Sequence, residues 1–96
     1  LKIWFQIKIM IKTSLIIKDK IGFHARTAAI FAKAAADFKS EIFVEFNGKR
    51  INAKSTLSLM TLGVKSEDKI ELFIKGIDQN SANQTLVDLV ESNFKN

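Results

Sequence analysis

Hydrophobic and polar residues alternate along three stretches of the chain, with the two-residue period of a half-buried β-strand. These stretches cover residues 11–17, 41–46 and 69–75. The pair Asn47-Gly48 follows the second stretch and is a strong signal for a tight hairpin turn. Residues 49–52 are therefore predicted to form a short return strand beside it, which brings the number of predicted strands to four.

Three other segments carry apolar residues at the spacing of one helical face. The first runs from about Ala25 to Phe38 and is rich in alanine, which lets a helix lie close to a sheet. The second is short, with Ser55 as N-cap and Gly63 as the stop. The last follows Asp78, the expected N-cap of the final helix. Its apolar stripe is Ala82, Leu86, Leu89, Val90 and Phe94.

The predicted order of elements is β-α-β-β-α-β-α. Because each alternating strand has a single apolar side, one sheet with its helices packed on one face is the economical arrangement. We therefore predict an α+β open-faced β-sandwich, in which a four-stranded antiparallel sheet carries three helices on one face. A length of 96 residues fits one small domain of this kind.

Composition narrows the functions open to the chain. Its net charge of +5 suits nucleic acid, a membrane surface or acidic protein partners, and does not choose among them. The sequence contains no block of consecutive basic residues, which weakens the case for nucleic-acid binding. Cysteine is absent, which excludes disulfides and thiolate metal sites. With a single histidine and no clustered carboxylates, we predict no metal site and no cofactor.

Residues 1–9 stand apart from the rest of the chain. They are too short for a membrane span, which needs about 20 apolar residues, and they lack the features of a secretory signal. We expect an N-terminal extension that arises from an alternative or misassigned start, followed by a domain over residues 10–96. A sticky or membrane-touching tail is the alternative interpretation.

The most informative polar residues are His24 and Arg26, which precede the alanine-rich helix. This order places an imidazole at a helix N-terminus, where unpaired backbone N–H groups and the positive end of the helix dipole favour an anion. The arrangement suits a phosphoryl group held on or beside a nucleophilic nitrogen. Residue pattern alone leaves a second interpretation open, in which His24 is a turn residue and Arg26 is solvated.

The segment Gly22-Phe23-His24-Ala25-Arg26-Thr27-Ala28 resembles the active-site signature of HPr, the histidine-containing phosphocarrier family of the bacterial phosphotransferase system. A second block, from Asn47-Gly48-Lys49 through Lys54-Ser55 to Leu62-Gly63, resembles the hairpin and regulatory-serine region of that family. The likeness runs from Met10 to about Phe94. One position departs from the pattern, because Thr27 stands where the family has proline.

The resemblance implies a function for each residue of the first motif. His24 would accept a phosphoryl group on Nδ1 from enzyme I and pass it to sugar-specific IIA domains. The backbone N–H groups of Ala25, Arg26 and Thr27 and the side chain of Arg26 would stabilise the phosphoryl group. The family also implies a cytoplasmic monomer that neither inserts into membranes nor binds nucleic acid, and that is a substrate of partner enzymes more than a catalyst itself.

Ser55 and its surroundings form a second candidate site. Serine before a short helix is often only an N-cap, but the resemblance implies regulatory phosphorylation of Ser55 by an HPr serine kinase/phosphorylase. The short helix has four apolar residues and cannot bury all of them. We expect Leu57 and Met60 to stay exposed near Phe23, and these three residues are the predicted docking patch for partners.

Two other functions compete with the phosphocarrier. Some family members lack the active histidine and signal only through the serine, so a regulatory module is one alternative. The presence of both His24 and Arg26 argues against it. A basic α/β nucleic-acid binder is the other, because Phe43 and Phe73 lie on the outward register of their strands.

Overall fold

The structure, a computed structural model, describes residues 9–95. Its elements are, in chain order, β1 (Ile11–Ile16), α1 (Ala25–Ala36), β2 (Glu41–Phe46), β3 (Lys49–Asn52), α2 (Thr56–Thr61), β4 (Lys69–Lys75) and α3 (Gln79–Glu91). The predicted β-α-β-β-α-β-α order is confirmed. The predicted extension lies outside the described residues except for Ile9, whose carbonyl oxygen accepts a hydrogen bond of 2.8 Å from Nε2 of Gln79.

The four strands form one antiparallel sheet in the order β1-β4-β2-β3. The register aligns apolar residues of β2 and β4, with Ile42 opposite Ile74 and Val44 opposite Leu72. All four of these side chains are buried. Because side chains alternate across a strand, this register gives the sheet one apolar face, and the three helices cover it.

Helix α1 presents small residues to this core. Ala28 and Ala35 are fully buried and Ala32 nearly so, while Phe31 is the largest fully buried side chain of the helix. Leu59 of α2 and Leu86 of α3 complete the same cluster. Alanine at three buried positions lets α1 lie close to its neighbours in the core.

Asp78 is the N-cap residue of α3, as predicted, but its side chain makes no hydrogen bond to that helix. Its carboxylate instead accepts hydrogen bonds from the backbone N–H of Lys39 at 2.8 Å and of Ser40 at 2.9 Å, and from the hydroxyl of Ser40. These bonds favour the ionised carboxylate, and the Ser40 hydroxyl has the largest part in holding the pKa of Asp78 below its ordinary value of 3.8. Asp78 thus ties the start of α3 to the loop that follows α1.

The pKa of Asp78 is lower in the folded chain than in the unfolded chain, so its ionisation stabilises the fold. This stabilisation is complete above the ordinary value of 3.8 and is lost as the pH falls through the lower folded-state pKa. We expect Asp78→Asn to lower the thermal midpoint at neutral pH, with the difference from wild type shrinking under acid conditions. Thermal unfolding at several pH values checks this, with the exposed Asp88→Asn as control. An equal difference at every pH would contradict it.

The outer face of the sheet carries mainly polar residues. Phe73 lies on this face, yet it is only 9% exposed, because the guanidinium of Arg50 stacks 3.9 Å from its ring centroid and Lys12 lies 5.7 Å away. Phe43 is opposite Phe73 in the register and is half-buried. The face therefore does not present two open aromatic rings of the kind that base stacking uses.

In the described part of the chain, no helix is both long enough and apolar enough to cross a membrane.

Candidate functional site

The site is built around the first turn of α1. His24 is the N-cap residue, with the extended backbone angles φ −113° and ψ −175°. The first intrahelical hydrogen bond runs from the backbone N–H of Ala28 to the carbonyl oxygen of His24 at 2.9 Å. The N–H groups of Ala25, Arg26 and Thr27 therefore precede the hydrogen-bonded ladder and lie at the positive end of the helix dipole, as the sequence predicted.

The loop before His24 is held by close contact with the segment after α2. Gly22 has φ +97°, and a Cβ atom at this position would overlap the carbonyl oxygen of Val64. That same oxygen accepts a hydrogen bond of 3.1 Å from the backbone N–H of Phe23. Glycine is required here both for its backbone angle and for the space, so the backbone that carries His24 has one well-defined path.

Thr27 ties this loop to the helix. Its side chain is fully buried. Its hydroxyl donates a hydrogen bond of 2.7 Å to the carbonyl oxygen of Gly22 and accepts one of 3.1 Å from the backbone N–H of His24. Proline has no hydroxyl and makes neither bond. Thr27 thus replaces the fixed φ angle of a first-turn proline with two hydrogen bonds that hold the backbone on both sides of Phe23.

The structure adds an acidic residue that the sequence did not single out. Asp19 is 8% exposed. One carboxylate oxygen, Oδ2, lies 3.3 Å from Nε2 of His24, and the other, Oδ1, lies 3.6 Å from Nη2 of Arg26. Oδ2 also accepts hydrogen bonds from the backbone N–H of Ile21 at 3.0 Å and of Gly22 at 3.2 Å.

These contacts keep Asp19 ionised. The hydrogen bond from Ile21 has the largest effect in lowering the pKa of Asp19, and the Gly22 N–H, His24 and Arg26 act in the same direction against the opposing effect of burial. The carboxylate is therefore a fixed negative charge that joins the two predicted catalytic side chains. The side chain of Arg26 remains 61% exposed and that of His24 28% exposed, so both are accessible from solvent.

Ser55 is the N-cap of α2, as predicted. Its Oγ accepts a hydrogen bond of 3.2 Å from the backbone N–H of Ser58, and the residue is half-buried. This position lets a modified Ser55 oxygen face the N-terminus of a short helix, where negative charge is favourable.

The predicted docking patch is exposed only in part. Leu57 is 72% exposed and Met60 40%, while Leu59 and Leu62 of the same segment are buried, as expected for so short a helix. Phe23 is different, because it is only 6% exposed and its ring packs edge-on against Phe31 and Phe94. The prediction that Phe23 docks partners does not fit this burial, and the exposed patch consists of Leu57 and Met60.

The arrangement is suited to binding an anion next to an imidazole. His24 supplies a nucleophilic nitrogen, Arg26 supplies a solvent-accessible positive charge, and the start of α1 supplies backbone donors. Within residues 9–95, no group of three or more histidine, cysteine or acidic side chains is placed to hold a metal ion.

The sequence is similar to proteins of one known family. The sequence profile of the family described as PTS HPr component phosphorylation site matches residues 11–92. The chain is 40% identical over 82 residues to the HPr-like protein Crh of Halalkalibacterium halodurans, a match that covers 85% of this chain and 98% of that one. It is also 40% identical over 85 residues to the phosphocarrier protein HPr of Neisseria meningitidis. This match covers 88% of this chain and 96% of that one.

The fold is similar to solved structures of the same kind. HPr-C-His from Thermoanaerobacter tengcongensis matches with a TM-score of 0.85 at 43% identity, over 88% of this chain and 94% of that one. HPr of that organism has also been solved as a dimer. That structure matches with a TM-score of 0.72 at 44% identity, over 85% of this chain and 94% of that one.

Proposed function

This chain belongs to the HPr family of phosphocarriers of the bacterial phosphotransferase system, and on that premise we propose that His24 carries a phosphoryl group from enzyme I to sugar-specific IIA domains. The observation that supports this role most strongly is the position of His24 at the N-terminus of α1, with Arg26 and the backbone N–H groups of Ala25, Arg26 and Thr27 around it.

Each part of the site has a task in the transfer. A neutral imidazole nitrogen is a nucleophile near neutral pH. Phosphoryl transfer passes through a loose transition state, so the protein mainly positions the groups and neutralises charge. The N–H groups at the start of α1 and the guanidinium of Arg26 provide that neutralisation, because both lie on the first turn beside His24.

A two-step relay tests the proposed function. The chain is first incubated with enzyme I and labelled phosphoenolpyruvate, then separated and mixed with a IIA domain. The proposal predicts that the label moves onto the chain and then onto the IIA domain. A chain that accepts the label but never delivers it would contradict the carrier role.

Partner binding is proposed to use Leu57 and Met60, which expose apolar surface on α2. This helix packs against α1, and Val64, shortly after α2, bonds to Phe23 beside His24. The helix that carries the exposed patch is therefore a neighbour of the helix and loop that carry His24. We propose that the chain acts in the cytoplasm as a monomer, and light scattering of the purified chain measures its mass directly. A stable dimer of the kind solved for the Thermoanaerobacter tengcongensis relative would overturn the monomer.

A regulatory role through Ser55 is the second candidate, and it is favoured by the similarity to a Crh protein. Ser55 is a half-buried N-cap whose oxygen already accepts a hydrogen bond from the backbone N–H of Ser58. We propose that an HPr serine kinase phosphorylates it. The helix N-terminus tolerates the added charge, so the modification changes how partners bind without refolding the chain.

Ser55→Asp tests this regulation. The carboxylate places a negative charge on the surface that meets acidic partners, so we expect a higher apparent KM for transfer from enzyme I with the fold unchanged. The defect should ease as salt screens the repulsion. Steady-state phosphorylation at two ionic strengths measures both effects. Ser81→Asp is the matched control, because Ser81 is an exposed serine in the first turn of α3. Wild-type kinetics in Ser55→Asp would mean that Ser55 is only a helix cap.

A further inference from the structure

Asp19 lies beside the imidazole of His24, on the side away from the proposed acceptor nitrogen. Its Oδ2 lies 3.3 Å from Nε2 of His24. We propose that Asp19 is a positioning residue that keeps the proton of the neutral imidazole on Nε2, so that Nδ1 retains its lone pair for the phosphoryl group. The proposal deepens the proposed function and rests on it for the identity of the transferred group.

The carboxylate of Asp19 is itself held in place. Oδ2 accepts two backbone N–H groups, from Ile21 and Gly22, and the residue is 8% exposed. A long, solvated side chain would lose its position by rotation, whereas this short one is fixed by two hydrogen bonds to its own loop. The carboxylate therefore stays where it contacts the imidazole.

The distance between Asp19 and His24 is set by the backbone. Gly22 packs against the carbonyl oxygen of Val64 without room for a side chain, and Thr27 bonds to Gly22 and to His24. The loop that carries Asp19 is thus joined to α1 by the hydroxyl of Thr27 and fixed against the segment after α2 by the close approach of Gly22 to Val64. This is the rigid support that an orienting group needs.

A carboxylate beside one ring nitrogen selects the tautomer, because an ionised carboxylate only accepts hydrogen bonds and so favours N–H at the nitrogen it faces. The negative charge of Asp19 would also repel a phosphoryl group. Arg26 limits this repulsion, because its guanidinium lies 3.6 Å from Oδ1, the oxygen that does not face His24. Asp19 thus contacts both side chains that act on the phosphoryl group.

The transfer balances with this tautomer. The lone pair of Nδ1 forms the new N–P bond while the P–N bond of the phosphohistidine donor breaks, and the electron pair of that bond returns to the donor nitrogen. The ring of His24 becomes a phosphoimidazolium that keeps its Nε2 proton. Asp19 stabilises this positive ring, and no proton has to leave or arrive during the step.

Nitrogen NMR of the unphosphorylated chain tests the assignment. His24 is the only histidine, so selectively ¹⁵N-labelled histidine gives one ring to observe. At a pH where the ring is neutral, we expect a nearly pure Nε2–H tautomer in wild type. Asp19→Asn removes the charge but retains an oxygen for Ile21 and Gly22, whereas Asp19→Ala removes the acceptor. The Nδ1–H population should rise from wild type to Asn to Ala.

Transfer from enzyme I provides the second measurement, and we expect Asp19→Ala to slow it by about 10- to 100-fold, the range typical when an outer group that orients an imidazole is lost. Asp78→Asn is the matched control, since Asp78 also accepts backbone N–H groups but bonds to the residues that follow the C-terminal end of α1. The tautomer populations of His24 in Asp78→Asn should equal those in wild type.

The outcomes separate the two proposals. Equal tautomer populations in wild type and Asp19→Ala would overturn the role of Asp19, even if transfer were slower, because a purely structural role does not move the proton. If Asp19→Ala shifts the tautomer but enzyme I never labels the wild-type chain, the role of Asp19 stands and the phosphocarrier function is overturned.

Discussion

His24→Ala is expected to abolish labelling by enzyme I while the fold is retained. His24 supplies the only imidazole in the chain, and the site has no other side chain with a nucleophilic ring nitrogen. The side chain of His24 is 28% exposed and packs outside the hydrophobic core, so its removal leaves the core intact. The measurement is incorporation of label from phosphoenolpyruvate in the presence of enzyme I.

Two observations accompany the His24→Ala measurement. The circular dichroism spectrum and the thermal midpoint establish that the variant folds, which is expected because the hydroxyl of Thr27 bonds to the backbone and not to the side chain of residue 24. Labelling of His24→Ala at the wild-type rate would place the phosphoryl group on another residue and end the assignment.

Arg26→Ala is expected to slow transfer by about 10- to 1000-fold, with little change in stability. Loss of one charge-stabilising donor at a reacting group has effects of about this size. Arg26 is 61% exposed and its ion pair with Asp19 is 3.6 Å long, so the pair adds little to folding. Single-turnover transfer from phosphorylated enzyme I measures the rate, and thermal unfolding measures the stability.

Arg26→Lys and Arg50→Ala make the experiment specific. Lysine retains the charge but not the planar fork of donors, so Arg26→Lys should fall between wild type and Arg26→Ala. Arg50 stacks on Phe73 on the outer face of the sheet, and its loss should leave the transfer rate at the wild-type value. If Arg26→Ala instead lowers the thermal midpoint strongly, and the chain that remains folded transfers at the wild-type rate, Arg26 has a structural role.

The sheet and helices were predictable because their signals are local. Alternation in residues 41–46 and 69–75 and the Asn47-Gly48 turn place three of the four strands with the observed bounds. The start of α1 was predicted at Ala25, where the structure has it. Its end was predicted two residues late, because Asp37 and Phe38 make the tighter bonds of a terminal turn.

The side-chain contacts that the sequence did not predict join residues that are distant in sequence. Phe23 was predicted to dock partners because it lies next to His24. In the fold its ring packs against Phe94, from the far end of the chain, and is buried. Asp78 is the N-cap residue of α3, as predicted, but its carboxylate binds two backbone N–H groups of the loop after α1 and none of α3. Local pattern cannot choose between a nearby partner and one brought in by the fold.

Asp19 shows what a closer sequence analysis could have found. An acidic residue between Lys18 and Lys20 resembles a solvated loop charge. Its position two and three residues before Ile21 and Gly22 is nevertheless the spacing at which an aspartate accepts backbone N–H groups of a turn. The turn was therefore accessible to prediction, whereas the contact with Nε2 of His24 depends on the path of the loop around Gly22.

The stability of the label on the wild-type chain tests the phosphocarrier assignment most directly. After incubation with enzyme I and labelled phosphoenolpyruvate, the account predicts one phosphoryl group per chain that is lost in acid and retained in base, as expected of a phosphohistidine. Peptide mapping should place it on His24. No label, or an acid-stable label on a hydroxyl residue, would contradict the account.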